Sequence, residues 1–336
     1  MKFDLHRYRA RLLRALQSLE RGDISPTNAK LIRAFHDDCF VEGLSVPRVE
    51  KYVRHLTTLA RWLRKDFDKA TTDDLKQVLY RIQRSHYSEW TKRDLRVSLK
   101  KFYRWMRRSG RCALDVGWIK TGRVNQHRIL PTDLLTPDDI SKMVSATTSP
   151  RNKALIILLY ETGARVGELA RLRISDLSPH PHGMQVHFPV EGKTGSRRVL
   201  VVASVPYLKA WLNAHPNPDN PAAPLWQAYA NSPPPRYGAI CQILRRAAQA
   251  AGVRKRVNPH NFRHSRATYL ANYLTEAQMN QYFGWVQGSD MPSTYVHLSG
   301  RDVDAAILRT YGIKLQDDDP PDKLAPRRCT QCETEN

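Results

Sequence analysis

From residue 1 to about 117, apolar residues recur at i, i+3 and i+4 with few strand-like alternations, which predicts one helix after another. In LRVSLKKFYRWMRRSGR, Leu95, Leu99, Phe102 and Met106 fall on one helical face and Arg96, Lys100, Arg104, Arg107 and Arg111 on another. Helical periodicity is lost from Asp115 to Pro131, DVGWIKTGRVNQHRILP, which reads as an extended basic linker and a domain boundary. A second domain opens at LTPDDISKMV, with Thr136 as helix N-cap, Pro137 at the first helical position and two acidic residues in the first turn. A buried helix, NKALIILLYETG, and a turn into RVGELARLRISDL follow. The period then changes to two: MQVHFPV alternates Val186, Phe188 and Val190, EGKTGS supplies a turn, and RRVLVVA returns, a β-hairpin. The Pro-rich stretch NPDNPAAPLWQAYANSPPPR reads as a surface loop within a resumed helical pattern. The expected class is mainly α with a small β-hairpin or sheet (α+β). Residues 1–117 form a helical domain, 118–131 a linker, 132–313 a mixed domain and 314–336 a flexible tail.

Composition narrows the function. The 336 residues are 41% apolar and 9% aromatic, enough for packed cores. The net charge is +22, from 54 Lys and Arg against 32 Asp and Glu, which points to a polyanionic partner, nucleic acid first. It also shifts the reading of the Arg96 to Arg111 face from solvated surface towards phosphate contact. No apolar run approaches the roughly 18 residues that span a bilayer, and the N-terminus lacks a signal-peptide core, so a membrane is not expected and the cytoplasm is. Cys39, Cys112 and Cys241 stand singly, which suits a reducing compartment. Cys329 and Cys332 form half of a zinc ribbon without the two further ligands a tetrahedral site needs, so no complete metal site is expected within the chain, which leaves a degenerate ribbon or a site shared between molecules.

Cations and one phenol recur at four distant places: Arg165 in ETGARVGEL, Lys193 in the hairpin turn, His260 and Arg263 in HNFRHSRAT, and Tyr295 in GWVQGSDMPSTYVH. In this order, with Trp285 before the tyrosine, they resemble the tyrosine recombinase (phage integrase) family from about Lys30 to Lys314, with wording closest to integrases of archaeal viruses and plasmids. The resemblance implies a helical core-binding domain followed by a catalytic domain, closed around duplex DNA as a clamp. By it, Arg165 and Arg263 hold the scissile phosphate, His260 is the histidine of H-x-x-R, Lys193 lies in a mobile turn and Tyr295 is the nucleophile. Two features depart from the pattern: Trp285 stands where a second histidine is most common, and its interval to Tyr295 is one residue longer than usual. An indole N–H can donate a hydrogen bond but exchange no proton, so Trp285 is a positioning group. His297 reads as structural, and Tyr273, Tyr282 and Tyr311 as core or interface residues.

The chemistry accounts for this set of groups. Transfer at a phosphodiester needs fixed donors on its non-bridging oxygens, and two guanidinium forks supply them without a metal ion or other cofactor. A phenol attacking phosphorus leaves a covalent phosphotyrosine that keeps the energy of the broken bond, so ATP is not needed. Its usual pKa near 10 means that nearby cations, or His260 as base, must activate it. Lys193 is the natural acid for the departing 5′-oxygen, and Glu168, one turn after Arg165, orients that arginine and could accept a bond from His260 or a partner group. The resemblance implies double-stranded DNA as partner, a homodimer on each site and a homotetramer in synapsis. A type IB topoisomerase and a catalytically silent DNA-binding regulator are the alternatives; the small N-terminal domain disfavours the first and the intact set of groups the second.

Overall fold

The computed structural model describes residues 3–122, 130–189 and 196–299 (backbone alone for 296–299), with residues 307, 310, 311 and 324. Apart from the first three residues, the chain divides into two compact units, Asp4–His127 and Arg128–Asn336.

Among the described residues, five α-helices build the first unit: α1 (Tyr8–Ser18), α2 (Pro26–Val41), α3 (Val46–Leu63), α4 (Thr72–Arg84) and α5 (Glu89–Arg108). Their starts are written locally. Ser25 and Ser88 accept the backbone N–H three residues on, and Thr71 with Asp74 forms a reciprocal capping box. The predicted apolar face of α5 is buried at Leu95, Leu99, Phe102 and Met106. Phe102 packs edge-on against Phe35 at 5.3 Å and Phe67 at 4.8 Å between ring centres. Val116 and Ile119, within the stretch read as a linker, are buried in this same core, so the chain is packed to that point rather than extended.

The second unit carries α6 (Pro137–Ser145), α7 (Pro150–Thr162), α8 (Val166–Ala170), α9 (Val205–Asn213), α10 (Tyr237–Ala250), α11 (Pro259–Leu270), α12 (Glu276–Phe283) and α13 (Met291–Ser299). Thr136 caps α6 as its sequence predicts. The hairpin strands are β2 (Gly183–Phe188) and β3 (Arg197–Val201), preceded by β1 (Leu177–His180), which the sequence reading missed. The sheet is antiparallel in the order β1-β2-β3, with Val186 opposite Val199 and Phe188 opposite Arg197. Met184, Val186, Phe188, Val199 and Val201 are buried, whereas β1 is four residues long and contains a proline, too little alternation to be legible. Val190 lies outside the described residues.

The Pro-rich stretch is only partly the surface loop its composition suggests. Leu225 and Trp226 are fully buried, the Trp226 indole donates to Leu169 O at 2.7 Å and Leu225 N donates to Leu172 O at 2.7 Å. This clasp fixes the end of α8, the helix behind Arg165. Buried Glu161, near the end of α7, accepts from the backbone N–H groups of Val202, Ala203 and Ser204 at 2.7, 3.0 and 2.8 Å and from Ser204 Oγ at 2.5 Å. It pins the far end of β3.

Candidate active site

Glycine closes the two helices behind the site. Gly163 ends α7 at φ +53°, and a Cβ there would meet Phe283 Cε1 at 2.5 Å. Gly284 ends α12 at φ +61°, and a Cβ would stand 2.9 Å from Arg197 Cδ. Both turns present carbonyls or their neighbours to arginines.

Arg263, in the middle of α11, is buried and donates to Gly163 O at 2.8 Å and Phe283 O at 2.7 Å. Its guanidinium also lies 5.4 Å from the Trp285 ring centre. Burial, with Arg165 and Arg197 nearby, pushes its pKa down to about 9, still cationic at neutral pH. Arg165 is more open, with 44% of its side chain exposed; it donates to Glu168 at 2.9 Å and to Gly284 O at 3.4 Å. Glu168 accepts from Arg165, and of the two alternatives for its other bond the one present is a second side chain, Arg197, at 2.6 Å, rather than His260. Burial pushes the Glu168 carboxyl up, yet the charge and hydrogen bonds of Arg197 and Arg165 outweigh it and hold the group below the usual range.

Asn258 caps α11, and Pro259 begins it, so His260, Arg263 and His264 share a face at i, i+3 and i+4. The two imidazoles meet edge to face at 4.2 Å between centres. His264 Nδ1 is 2.6 Å from the hydroxyl of Tyr295, which lies on α13 with 1% of its surface exposed. Burial pushes this phenol up to about 12, against the opposing pull of Arg263. Burial, then the charges of Arg263 and Arg165, lower His260; burial, His260 and Arg263 lower His264 to about 4. Both rings are therefore neutral at pH 7. Trp285 stacks parallel to Tyr295, 5.4 Å between centres and 3° between planes, and on its other neighbour Phe283 at 4.8 Å. The site thus gathers two arginines, a carboxylate-bound third, two neutral imidazoles and a phenol, a set able to neutralise a phosphate and to attack it.

Residues 133–301 match the phage integrase family, and residues 32–110 match the phage integrase N-terminal SAM-like domain. The chain belongs to the phage integrase family. It is similar to tyrosine recombinase XerD of Oceanobacillus iheyensis, 29% identical over 253 residues that cover 70% of this chain and 82% of the relative. Tyrosine recombinase XerA of Pyrococcus horikoshii is 25% identical over 256 residues, 75% and 82% of the two chains. Among solved structures, a lambda integrase dimer bound to a COC′ core site superposes with a TM-score of 0.63 at 18% identity, covering 85% of this chain and 82% of that one. XerH bound to difH in a pre-cleavage complex gives 0.60 at 15% identity, covering 92% and 97%. At these identities the structural likeness is one of fold. The relatives are named mainly as bacterial XerD recombinases and do not support a special nearness to integrases of archaeal viruses and plasmids.

In this phage integrase chain the structure brings together Arg165, Glu168, His260, Arg263, Trp285 and Tyr295. Lys193, Cys329 and Cys332 lie outside the described residues, as does the His297 side chain. Two site residues escaped the sequence reading. Arg197 is the first residue of β3, in a hairpin read only for its alternation. His264 sits in the quoted HNFRH box, and its helical i, i+4 spacing from His260 was the available signal. Tyr282 donates to Glu161 O at 2.5 Å, whereas Tyr273 and Tyr311 are exposed, which removes the core alternative for these two and leaves the interface one.

Helix α5 ends at Arg108, so Arg111 lies beyond it rather than on its face, and the basic side chains predicted to share that face are partly committed within their own unit. Lys100 holds Gly117 O and Ile119 O at 2.9 and 2.7 Å, Arg107 pairs with Asp115 at 3.3 Å, Arg96 reaches the Gln83 amide, and Arg111 lies over the Trp105 ring. Arg104 is exposed. Among the described residues no helix is long and apolar enough to cross a membrane, and no three His, Cys, Asp or Glu side chains gather to hold a metal ion.

Proposed function

We propose that this protein is a site-specific DNA recombinase that cuts and rejoins strands through a 3′-phosphotyrosine on Tyr295. The observation that carries the reading is the meeting, in one pocket of a phage integrase fold, of the Tyr295 phenol with Arg263 and the histidine pair of α11. Arg165 and Arg263 grip the non-bridging oxygens, Glu168 keeps Arg165 turned to them, and Trp285 holds the nucleophile's ring in plane. Tyr295 Oη attacks phosphorus, the P–O5′ bond breaks, and Lys193 hands the leaving oxygen its proton. Neither a metal nor ATP enters this scheme. The partner is double-stranded DNA, gripped in part by Arg104 and the neighbouring cations of α5, with two protomers on each site and four in synapsis. Lambda integrase has been solved as a dimer on a core site and as a tetramer on a Holliday junction, which supports that stoichiometry.

The test is to incubate the protein, without metal or ATP, with supercoiled plasmid carrying its own gene and flanks, and to collect protein–DNA adducts that survive SDS. The wild type is expected to form one, and Tyr295→Phe to form none while binding DNA as tightly, since a single hydroxyl is lost. Adducts of equal yield from both proteins would remove Tyr295 from the nucleophile's role. An adduct with relaxation but no exchange between two sites would point to a topoisomerase. A mapped site beside the gene marks an integrase of a mobile element; a site elsewhere marks a resolvase.

A further inference from the structure

The proton of the nucleophile has to go somewhere, and His260 was the base expected from the sequence. The geometry points to its neighbour. We propose that His264 is a catalytic residue: as Tyr295 Oη bonds to phosphorus, its proton passes to His264 Nδ1. The inference rests on Tyr295 as nucleophile. The electron pair of the P–O5′ bond leaves with the 5′-oxygen, which is protonated separately, so the donor and the acceptor are different groups.

His264 Nδ1 and Tyr295 Oη are already at hydrogen-bond distance, 2.6 Å, whereas His260 meets the pair through the edge of the His264 ring, 4.2 Å between centres. With the ring proton on Nε2, Nδ1 presents a lone pair to the phenol's proton and leaves the oxygen's own lone pairs free for phosphorus. The parallel ring of Trp285 limits how far the phenol can swing from that bond. In the resting protein the transfer is uphill, because burial and nearby cations keep His264 neutral and burial keeps Tyr295 protonated. As the O–P bond forms, the oxygen loses nearly all its basicity, so transfer belongs to the transition state rather than to a preformed phenolate. The incoming phosphate also places negative charge beside the imidazolium being formed.

The experiment uses the full chain and a duplex bearing the mapped cleavage site, made with an ordinary 5′-bridging oxygen or with sulfur in its place. A thiolate departs without a proton, so sulfur relieves a missing acid and leaves a missing base unrelieved. His264→Asn keeps an acceptor near the place of Nδ1 but cannot take up a proton. Adduct formation by this variant is expected to slow by roughly 10²–10⁴-fold on both duplexes, with DNA affinity and melting temperature unchanged. A rate within about threefold of wild type would assign His264 to positioning alone and overturn the inference, as would full rescue by sulfur. Should Asn disturb folding, seen as a lowered melting temperature, His264→Gln is read by the same criteria. A wild type that forms no adduct on either duplex takes down the nucleophile reading and this inference together.

Discussion

Arg165 and Arg263 have the same charge and different employment. Arg263 is buried against two backbone carbonyls, so its removal strands both; Arg165 is half open and bonded chiefly to Glu168. Replacing either with Ala is expected to slow adduct formation by about 10²–10³-fold, as loss of a preorganised donor does. Only Arg263→Ala should also lower the urea midpoint, by the equivalent of about 1–3 kcal/mol for unsatisfied buried groups. Equal stability in the two variants would contradict the structural half of this assignment. At this scale the sequence was informative through the order of its boxes: among 54 Lys and Arg, 14 Tyr and 12 His, the resemblance to the tyrosine recombinases singled out two arginines, a phenol and a histidine. Arg197 and His264 were harder, because one looks like any strand arginine and the other like a spare histidine until the helix brings its ring to the phenol.

Whole elements carry these residues into register. The Phe188 to Arg197 pairing places the arginine at the sheet end nearest α8 and α12, while Glu161 fixes the opposite end of β3. Glu161→Gln substitutes an N–H donor for one acceptor oxygen amid three backbone N–H groups and a hydroxyl. A loss of about 2–4 kcal/mol is expected from denaturant titration, with adduct formation impaired further because Arg197 and Glu168 lose their backing. An unchanged midpoint would show the cap to be dispensable. The start of α6 was readable from Thr136 and Pro137, and α5 from its period, because those signals are local. Strand β1 and the buried Leu225 to Trp226 clasp were not: the pairing of β1 and the burial of Trp226 depend on partners up to about 10 and 57 residues away, and the composition around the clasp argued for a loop.

For the whole molecule, the dominant quantity is charge. With a net +22, affinity for duplex DNA should come largely from phosphate contacts and counterion release. If six to ten phosphates are neutralised, binding is expected to weaken by roughly 10³–10⁵-fold between 50 and 200 mM salt, which fluorescence anisotropy with a labelled duplex measures directly. A nearly flat salt dependence would mean that the surplus cations face elsewhere. Such a protein spends most of its time on DNA of the wrong sequence, sliding over backbone that is chemically identical to its target. Tyr295, with 1% of its surface exposed between an indole and an imidazole, cannot touch the phosphates it passes. Idle traffic along the genome is therefore expected to leave no nicks, and the decision to cut waits until a bound site opens a path for its phosphate to the phenol.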